Sequence, residues 1–189
     1  MFQTRLIPSL TRGAAAPRQR QQALSAVRMF SVSALSRQKV ASIPIVINGT
    51  GTGTTQTVSV PGKPYTFSTD TYPTLGGQDS APSPVAYSLA SLGSCNQVTG
   101  GVVARDHGIK LGEWNVSVEG DLPIGVLVHG EQGDPNWLSI KLKVRVQTDT
   151  TDEKKFGYFV QEVERRCPIT QLFKLSGVRY ESEWVNEGL

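Results

Sequence analysis

The stretch that decides the fold is residues 83–105, which read SPVAYSLASLGSCNQVTGGVVAR. It carries no charge until its last residue. A surface helix normally has a charged or polar face, so an uncharged helix of this length is expected to be buried on nearly all sides. Pro84 suits the first turn of a helix with Ser83 as the N-cap. The stretch therefore predicts a core helix that begins at this point.

Cys95 lies near the middle of the predicted helix. At helical spacing it shares a face with Ser88, Ser91, Val98 and Val102, so the thiol would face a narrow and weakly polar strip. A single buried cysteine usually serves as a small hydrophobic residue. A chemical function for Cys95 therefore needs support from the rest of the chain.

Three glycines, Gly93, Gly100 and Gly101, interrupt the same helix. Each of them costs about 1 kcal/mol relative to alanine inside a helix. This cost indicates that another segment of backbone packs closely against the helix at these positions.

The positive charge of the chain is confined to its first residues. The formal net charge is +3, from 19 Lys and Arg against 16 Asp and Glu. Six arginines fall within residues 1–37, and no acidic residue precedes Asp70. Without those six, thirteen basic residues stand against sixteen acidic ones, a net charge of −3. The overall charge therefore does not indicate a nucleic-acid partner, because it belongs to a separable segment.

Residues 1–37 have the composition of a mitochondrial transit peptide, since they are rich in arginine, contain serine and lack acids. The run Arg28-Met29-Phe30, continuing to Arg37, resembles a two-step matrix-processing site with a first cut after Met29 and removal of an octapeptide. We therefore predict a transit peptide of residues 1–37 and a mature domain of residues 38–189 in the mitochondrial matrix. A disordered basic arm is the alternative interpretation.

Several classes of site are not indicated. No apolar stretch is long enough for a membrane span. Neither cysteine has a Cys or His neighbour at ligand spacing, and the histidines are His107 and His129, so no metal site or resident cofactor is expected. In a reducing compartment the two cysteines are expected to be thiols.

The residues before the helix favour antiparallel strands. An apolar run at 42–47 is followed by Asn48-Gly49 and a Gly/Thr tract to Thr55, which predicts a hairpin turn. Residues that favour β structure continue at 57–60 and 65–68, so a pair or a meander is expected. Residues 70–82 predict a loop that is ordered by what it covers.

After the helix, which Gly108 is expected to end, the clearest strand covers residues 138–147. Its apolar side chains alternate with polar ones and are Leu138, Ile140, Leu142, Val144 and Val146. Shorter alternations at 114–119 and 178–185 predict two further strands. The strand at 138–147 therefore has one solvent-exposed (wet) face and one buried (dry) face. This pattern predicts an antiparallel sheet covered by helices on a single side, and hence an α+β fold.

A second helix is predicted between the last two strands. Thr150 and Glu153 fit a capping box, and apolar residues follow at helical spacing to about Arg166. Pro168 prevents this helix from continuing. Cys167 would then lie at the N-terminus of a further short helix, where backbone amides favour a thiolate.

Three motifs together resemble the OsmC/Ohr family. They are Leu75-Gly76-Gly77 followed by Pro82-Ser83-Pro84, then Leu89-Ala90-Ser91-Leu92-Gly93-Ser94-Cys95, and finally Arg166-Cys167-Pro168. The resemblance spans roughly residues 42–187. It implies an intertwined homodimer with an antiparallel sheet, a long buried central helix and a second helix, and with active sites at the dimer interface.

The resemblance also implies a chemistry. Cys95 would attack the O–O bond of a peroxide and become a sulfenic acid, and Cys167 would condense with it to a disulfide. The family favours organic hydroperoxides, which the weakly polar strip beside Cys95 suits. An external dithiol, in one branch a lipoyl-bearing protein, would reduce the disulfide. The predicted function is a cysteine-based peroxidase in the oxidative stress response.

One feature of the best-understood branch of the family is absent. There an Arg of the N-terminal hairpin and a Glu after the proline of the central helix hold the attacking thiolate. This chain has Val85 after Pro84 and no Arg between residues 38 and 104. A partner subunit would have to supply the cation. Two alternatives stay open: a non-catalytic dimer that binds a small apolar ligand or a partner protein, and a thiol redox sensor.

Overall fold

The computed structural model describes residues 41–189. The predicted transit peptide, residues 1–37, and the proposed start of the mature chain at Gln38 lie outside the described residues. Residues Pro44–Leu189 form one compact unit. Its elements in chain order are β1 (Asn48–Thr52), β2 (Thr55–Ser59), β3 (Thr66–Thr69), a 3-10 helix (Pro73–Leu75), α1 (Pro84–His107), β4 (Leu111–Asp121), α2 (Ile124–His129), β5 (Ser139–Thr148), α3 (Glu153–Arg166), α4 (Pro168–Leu175) and β6 (Arg179–Gly188).

Helix α1 is the core helix that the uncharged stretch predicts. The Ser83 hydroxyl accepts the backbone N–H of Ala86 at 3.3 Å, and Gly108 ends the helix in the left-handed conformation. Burial on all sides, however, is wrong for the single chain, because α3, α4 and β4 pack on one side of α1 and leave the other side open. Val98 on the open side is 70% exposed.

The first sheet is an antiparallel meander of β1, β2 and β3, which confirms the expected strand pairing. The predicted turn begins too early, since Asn48 and Gly49 lie within β1 and only the end of the Gly/Thr tract forms the turn. Thr52 and Thr55 close the hairpin instead, and Gly53 between them has φ 61°. That left-handed conformation is one that glycine adopts without a steric penalty.

The second sheet has the order β4-β5-β6. Strands β4 and β5 are antiparallel, as expected, whereas β6 runs parallel to β5. The difference arises because α3 and α4 carry the chain back to the starting end of β5, and a parallel pair needs a crossover connection of this length.

Strand β5 supplies the centre of the core, and its alternation confirms one dry face and one wet face. Its buried residues are Ile140, Leu142, Val144 and Val146. Leu138 is 62% exposed because it precedes the first residue of the strand. On the wet face, Lys143 pairs with Glu119 at 2.6 Å and Arg145 pairs with Glu187, so the basic residues of β5 face acidic neighbours.

Helix α3 is amphipathic as predicted, with Phe159 and Val163 fully buried. Its cap is different from the predicted one. The Asp152 carboxylate accepts the N–H groups of Lys154 and Lys155, and Thr150 is buried two residues earlier. Asp152 takes the N-cap position because the helix begins at Glu153. The short helix α2 lies outside the sequence predictions.

The helix glycines make room for side chains of β4 and not for a backbone, which corrects the sequence expectation. A Cβ at Gly93 would lie 3.2 Å from Cγ1 of Val116, and one at Gly100 would lie 2.6 Å from Cη2 of Trp114. A Cβ at Gly101 meets nothing within 4 Å. Two of the three glycines therefore have a packing reason in this chain.

A buried carboxylate orders the loop between β3 and α1. Asp70 is 0% exposed and accepts hydrogen bonds from the Ser80 hydroxyl (2.8 Å), the Ser80 and Gln78 N–H groups (3.1 and 3.0 Å) and the Thr54 hydroxyl (2.9 Å). These donors, Ser80 foremost, hold the pKa of Asp70 well below its usual range. The loop is thus ordered from within, and Thr54 joins it to the first hairpin.

Candidate active site

The structure brings Cys95 and Cys167 together. Cys95 lies in the middle of α1, and Cys167 is the N-cap of α4. The two side chains are close enough for Cys167 to shift the pKa of Cys95, and both are free thiols. Cys95 is partly exposed, whereas Cys167 is fully buried. A reagent in solvent therefore reaches the first sulfur and not the second.

The N-terminus of α4 contacts both sulfurs. The Thr170 N–H donates to Sγ of Cys167 at 3.4 Å, and the backbone N–H of Ile169 lies close enough to Cys95 to lower its pKa. These amides belong to the first turn of a helix, where backbone N–H groups have no partner within the helix. The prediction that Cys167 lies at the N-terminus of a short helix is confirmed.

The environment of Cys95 favours its thiol form. Burial raises the pKa of Cys95, and the neighbouring Cys167 raises it further. The Ile169 N–H and the Thr99 hydroxyl act in the opposite direction but do not compensate. Within the described part of the chain, no cation is among these main influences on the pKa. The thiolate fraction of Cys95 is therefore small at neutral pH and grows as the pH rises.

The predicted strip beside Cys95 is less polar than its sequence indicates. The Ser88 hydroxyl donates to the carbonyl of Val85, and the Ser91 hydroxyl donates to the carbonyl of Ser88, both at 2.7 Å. Since these bonds within the helix use the hydroxyl protons, the strip offers few donors to a ligand. It suits an apolar group better than a small polar one.

Asn96 and Thr170 are two residues near the sulfurs that the sequence reasoning missed. Both are 0% exposed, and Nδ2 of Asn96 donates to Oγ1 of Thr170 at 2.9 Å. Nδ2 also donates to the carbonyl of Leu92 at 2.9 Å. The sequence offered little signal, because Asn96 lies among other uncharged polar residues of the helix, such as Ser94 and Gln97. Its partner, 74 residues further on, could not be read from local sequence.

A polar cluster behind the buried thiol joins α3, α4 and β6. The Glu164 carboxylate pairs with Lys174 at 2.8 Å and accepts the indole N–H of Trp184 at 3.1 Å. Burial acts to raise the pKa of Glu164, but hydrogen bonds, first of all from Lys174, outweigh it and lower the pKa. Burial and the nearby charge of Glu164 raise the pKa of Tyr180. The cluster fixes the three elements around the short helix that carries the buried thiol.

The groups near the two sulfurs are hydroxyl, amide and thiol groups. Hydroxyl and amide N–H groups favour the thiolate form of a neighbouring cysteine, which is the reactive form. Across residues 41–189, no group of three or more His, Cys, Asp or Glu side chains is arranged to hold a metal ion. No helix in that range is long and apolar enough to cross a membrane.

A family model described as OsmC-like protein matches residues 77–183. This match covers more than half of the chain, and the chain belongs to the OsmC-like protein family. Comparison with curated proteins finds no match.

Solved structures share the fold. An OsmC-like protein from Mycoplasma pneumoniae is 16% identical with a TM-score of 0.64, covering 77% of this chain and 99% of its own. An organic hydroperoxide resistance protein from Elizabethkingia anophelis is 15% identical with a TM-score of 0.59, covering 78% and 99%. The organic hydroperoxide resistance protein OhrB of Bacillus subtilis is 17% identical with a TM-score of 0.51, covering 75% and 98%. At these identities the likeness shows an α+β fold with a long central helix, and it assigns no activity to this chain.

Proposed function

We propose that this protein is a thiol-dependent peroxidase that reduces organic hydroperoxides in oxidative-stress defence. Cys95 is the attacking residue and Cys167 the resolving one. The observation that carries the proposal is the proximity of a partly exposed thiol to a fully buried one. The family supports it as well, since structures with this fold include organic hydroperoxide resistance proteins.

In the first step the Cys95 thiolate attacks the O–O bond of the hydroperoxide. An S–O bond forms, the O–O bond breaks, and the leaving alkoxide takes a proton to become an alcohol. Cys95 is thereby oxidised to a sulfenic acid. The Ile169 N–H and the Thr99 hydroxyl both act to lower the pKa of Cys95 and so favour its thiolate before the attack.

In the second step the sulfur of Cys167 attacks the sulfenic acid. An S–S bond forms, the S–O bond breaks, and the hydroxyl leaves as water. An external dithiol then exchanges with the disulfide, returning both thiols and becoming a disulfide itself. A lipoyl-bearing protein is the proposed donor, and no bound cofactor takes part.

We include a homodimer in the proposal because the single chain exposes much apolar surface. Ile45 is 85% exposed, Ile47 is 60% exposed, and Val98 on the open side of α1 is 70% exposed. Isolated apolar residues on a surface are ordinary, but groups of them mark an interface. A second copy packed on α1 would cover Val98. Sedimentation at several concentrations tests this, and Val98→Asp is expected to shift the protein towards the monomer.

The proposed location is the mitochondrial matrix, because residues 1–37 have the arginine-rich composition of a transit peptide. Import of a reporter fused to this segment, followed by sequencing of the mature N-terminus, tests it. Cleavage near Gln38 is the expected result, and a reporter that stays outside mitochondria contradicts it.

The test of the activity is the consumption of cumene hydroperoxide in the presence of a lipoyl or dithiothreitol donor. Wild type is compared with Cys95→Ser and Cys167→Ser, which change one atom each. We expect no turnover in Cys95→Ser, which lacks the attacking thiol. Cys167→Ser should turn over more slowly than wild type, because the donor dithiol must then reduce the sulfenic acid directly. Turnover with hydrogen peroxide should be slower than with the organic substrate. Equal rates in wild type and Cys95→Ser contradict the proposal.

The raised pKa of Cys95 favours one second candidate, a redox sensor whose thiols react slowly and once. The same assay separates the two functions. A sensor forms the disulfide without sustained hydroperoxide consumption when the donor is in excess, whereas a peroxidase turns over many times.

A further inference from the structure

The contact between Asn96 and Thr170 links the two helices that carry the cysteines. Asn96 follows Cys95 on α1, and Thr170 lies in the first turn of α4. The amide of Asn96 donates to the Thr170 hydroxyl at 2.9 Å, and the backbone N–H of Thr170 donates to the sulfur of Cys167 at 3.4 Å. A continuous chain of bonds therefore runs from one cysteine to the other.

A polar pair is energetically less favourable than an apolar one at the contact between two buried helix faces. Both side chains are 0% exposed, and Oδ1 of Asn96 has no hydrogen-bond partner among the described residues. A buried polar atom without a partner destabilises the fold, whereas two apolar side chains would pack there without that cost. Its presence beside both sulfurs indicates that the pair fixes a geometry, and that stability alone does not explain it.

We propose that Asn96 and Thr170 are positioning residues for the disulfide step. Their hydrogen bond fixes the spacing between α1 and α4, which keeps Cys167 within reach of Cys95 after Cys95 has become a sulfenic acid. The step is the condensation of this sulfenic acid with the Cys167 thiol to a disulfide and water. This inference rests on the proposed function for that step. The same spacing between α1 and α4 would also affect disulfide formation by any other oxidant.

The first experiment follows a single turnover with cumene hydroperoxide in the full-length protein. Loss of the Cys95 thiol, capture of its sulfenic acid by a 1,3-dione and appearance of the disulfide are measured by mass spectrometry. Thr170→Val keeps the shape and the backbone N–H but removes the hydroxyl. Because one hydrogen bond is lost, we expect disulfide formation to slow by about fivefold. The rate of Cys95 oxidation is expected to stay within about twofold of wild type, since Thr170 does not reach the substrate.

Two further variants separate positioning from general loss of stability. Thr170→Ser restores the hydroxyl and is expected to restore the disulfide rate. Thr148→Val removes the hydroxyl of another buried threonine, which donates to Asn186 at 2.8 Å far from the cysteines. It is expected to lower the melting temperature as Thr170→Val does, with a wild-type disulfide rate. A wild-type disulfide rate in Thr170→Val, or an equal slowing in Thr148→Val, overturns the inference.

A second experiment distinguishes failure of this inference from failure of the proposed function. Oxidised glutathione replaces the hydroperoxide, so two protein thiols become a disulfide and two molecules of glutathione are released. The ratio of disulfide to dithiol at equilibrium is expected to be about fivefold lower in Thr170→Val than in wild type, for the same lost hydrogen bond. If wild type does not react with hydroperoxide, but wild type and Thr170→Val differ in this ratio, the peroxidase proposal fails and the positioning inference stands. Equal ratios in both proteins overturn the inference.

Discussion

Gly100→Ala places a methyl group where α1 contacts β4. The new Cβ would lie 2.6 and 2.7 Å from two ring carbons of Trp114, whereas carbon atoms in contact are about 3.5–4.0 Å apart. The Trp114 ring would have to move by about 1 Å, although it packs edge-on against Trp184 with centroids 5.6 Å apart. Such overpacking costs about 1–3 kcal/mol, and the helix preference of alanine offsets about 1 kcal/mol. We expect a net loss of about 1 kcal/mol in the free energy of unfolding.

Thermal unfolding measures this loss, because 1 kcal/mol shifts the melting temperature of a domain of this size by about 2–4 °C. Gly157→Ala is the matched control, since Gly157 lies inside α3 and a Cβ there meets nothing within 4 Å. It is expected to raise the melting temperature, because only the helix preference changes. A rise in Gly100→Ala equal to that in Gly157→Ala would refute the packing argument.

Three further predictions concern titration and chemistry. Because burial and Cys167 raise the pKa of Cys95, its oxidation by hydroperoxide should accelerate close to tenfold per pH unit from about pH 6 to 8; a pH-independent rate there would point to a nearby cation. The depressed pKa of Asp70 means that its carboxylate stabilises the fold fully above the ordinary aspartate pKa of about 3.9 and progressively less below it. Asp70→Asn should therefore be less stable than wild type at pH 7 and lose less melting temperature on acidification; parallel curves would contradict this. Cys167→Ser should react with hydroperoxide at the wild-type rate but accumulate the sulfenic and then the sulfinic acid, and full protection of Cys95 would contradict it.

Local patterns predicted the main helices and strands. The uncharged run with Ser83 before it and Gly108 after it identified α1, because capping residues act within one helical turn. The alternation along β5 identified its buried face, because successive side chains of a strand point to opposite faces of the sheet. This pattern is also local in the sequence. Cys167 at the start of α4 followed from the proline after it.

The remaining features depend on contacts between distant residues. Asp70 lies 10 residues from Ser80 and 16 from Thr54, and nothing in the loop composition indicates that it would be buried. The parallel pairing of β6 follows from the crossover through α3 and α4 and not from the sequence of the strand. The proximity of the two thiols could be expected only from the family resemblance, because helical spacing says nothing about the distance between separate elements.

The most direct test of the proposed two-cysteine cycle is the identification of the disulfide that forms after oxidation by an organic hydroperoxide. Peptide mapping without reduction should show Cys95 joined to Cys167, and a non-reducing gel should show the link within a single chain. The yield should approach one disulfide per chain, since each chain places its own two thiols close together. Cysteines that stay unlinked while Cys95 is oxidised, or a link found only between chains, would contradict it.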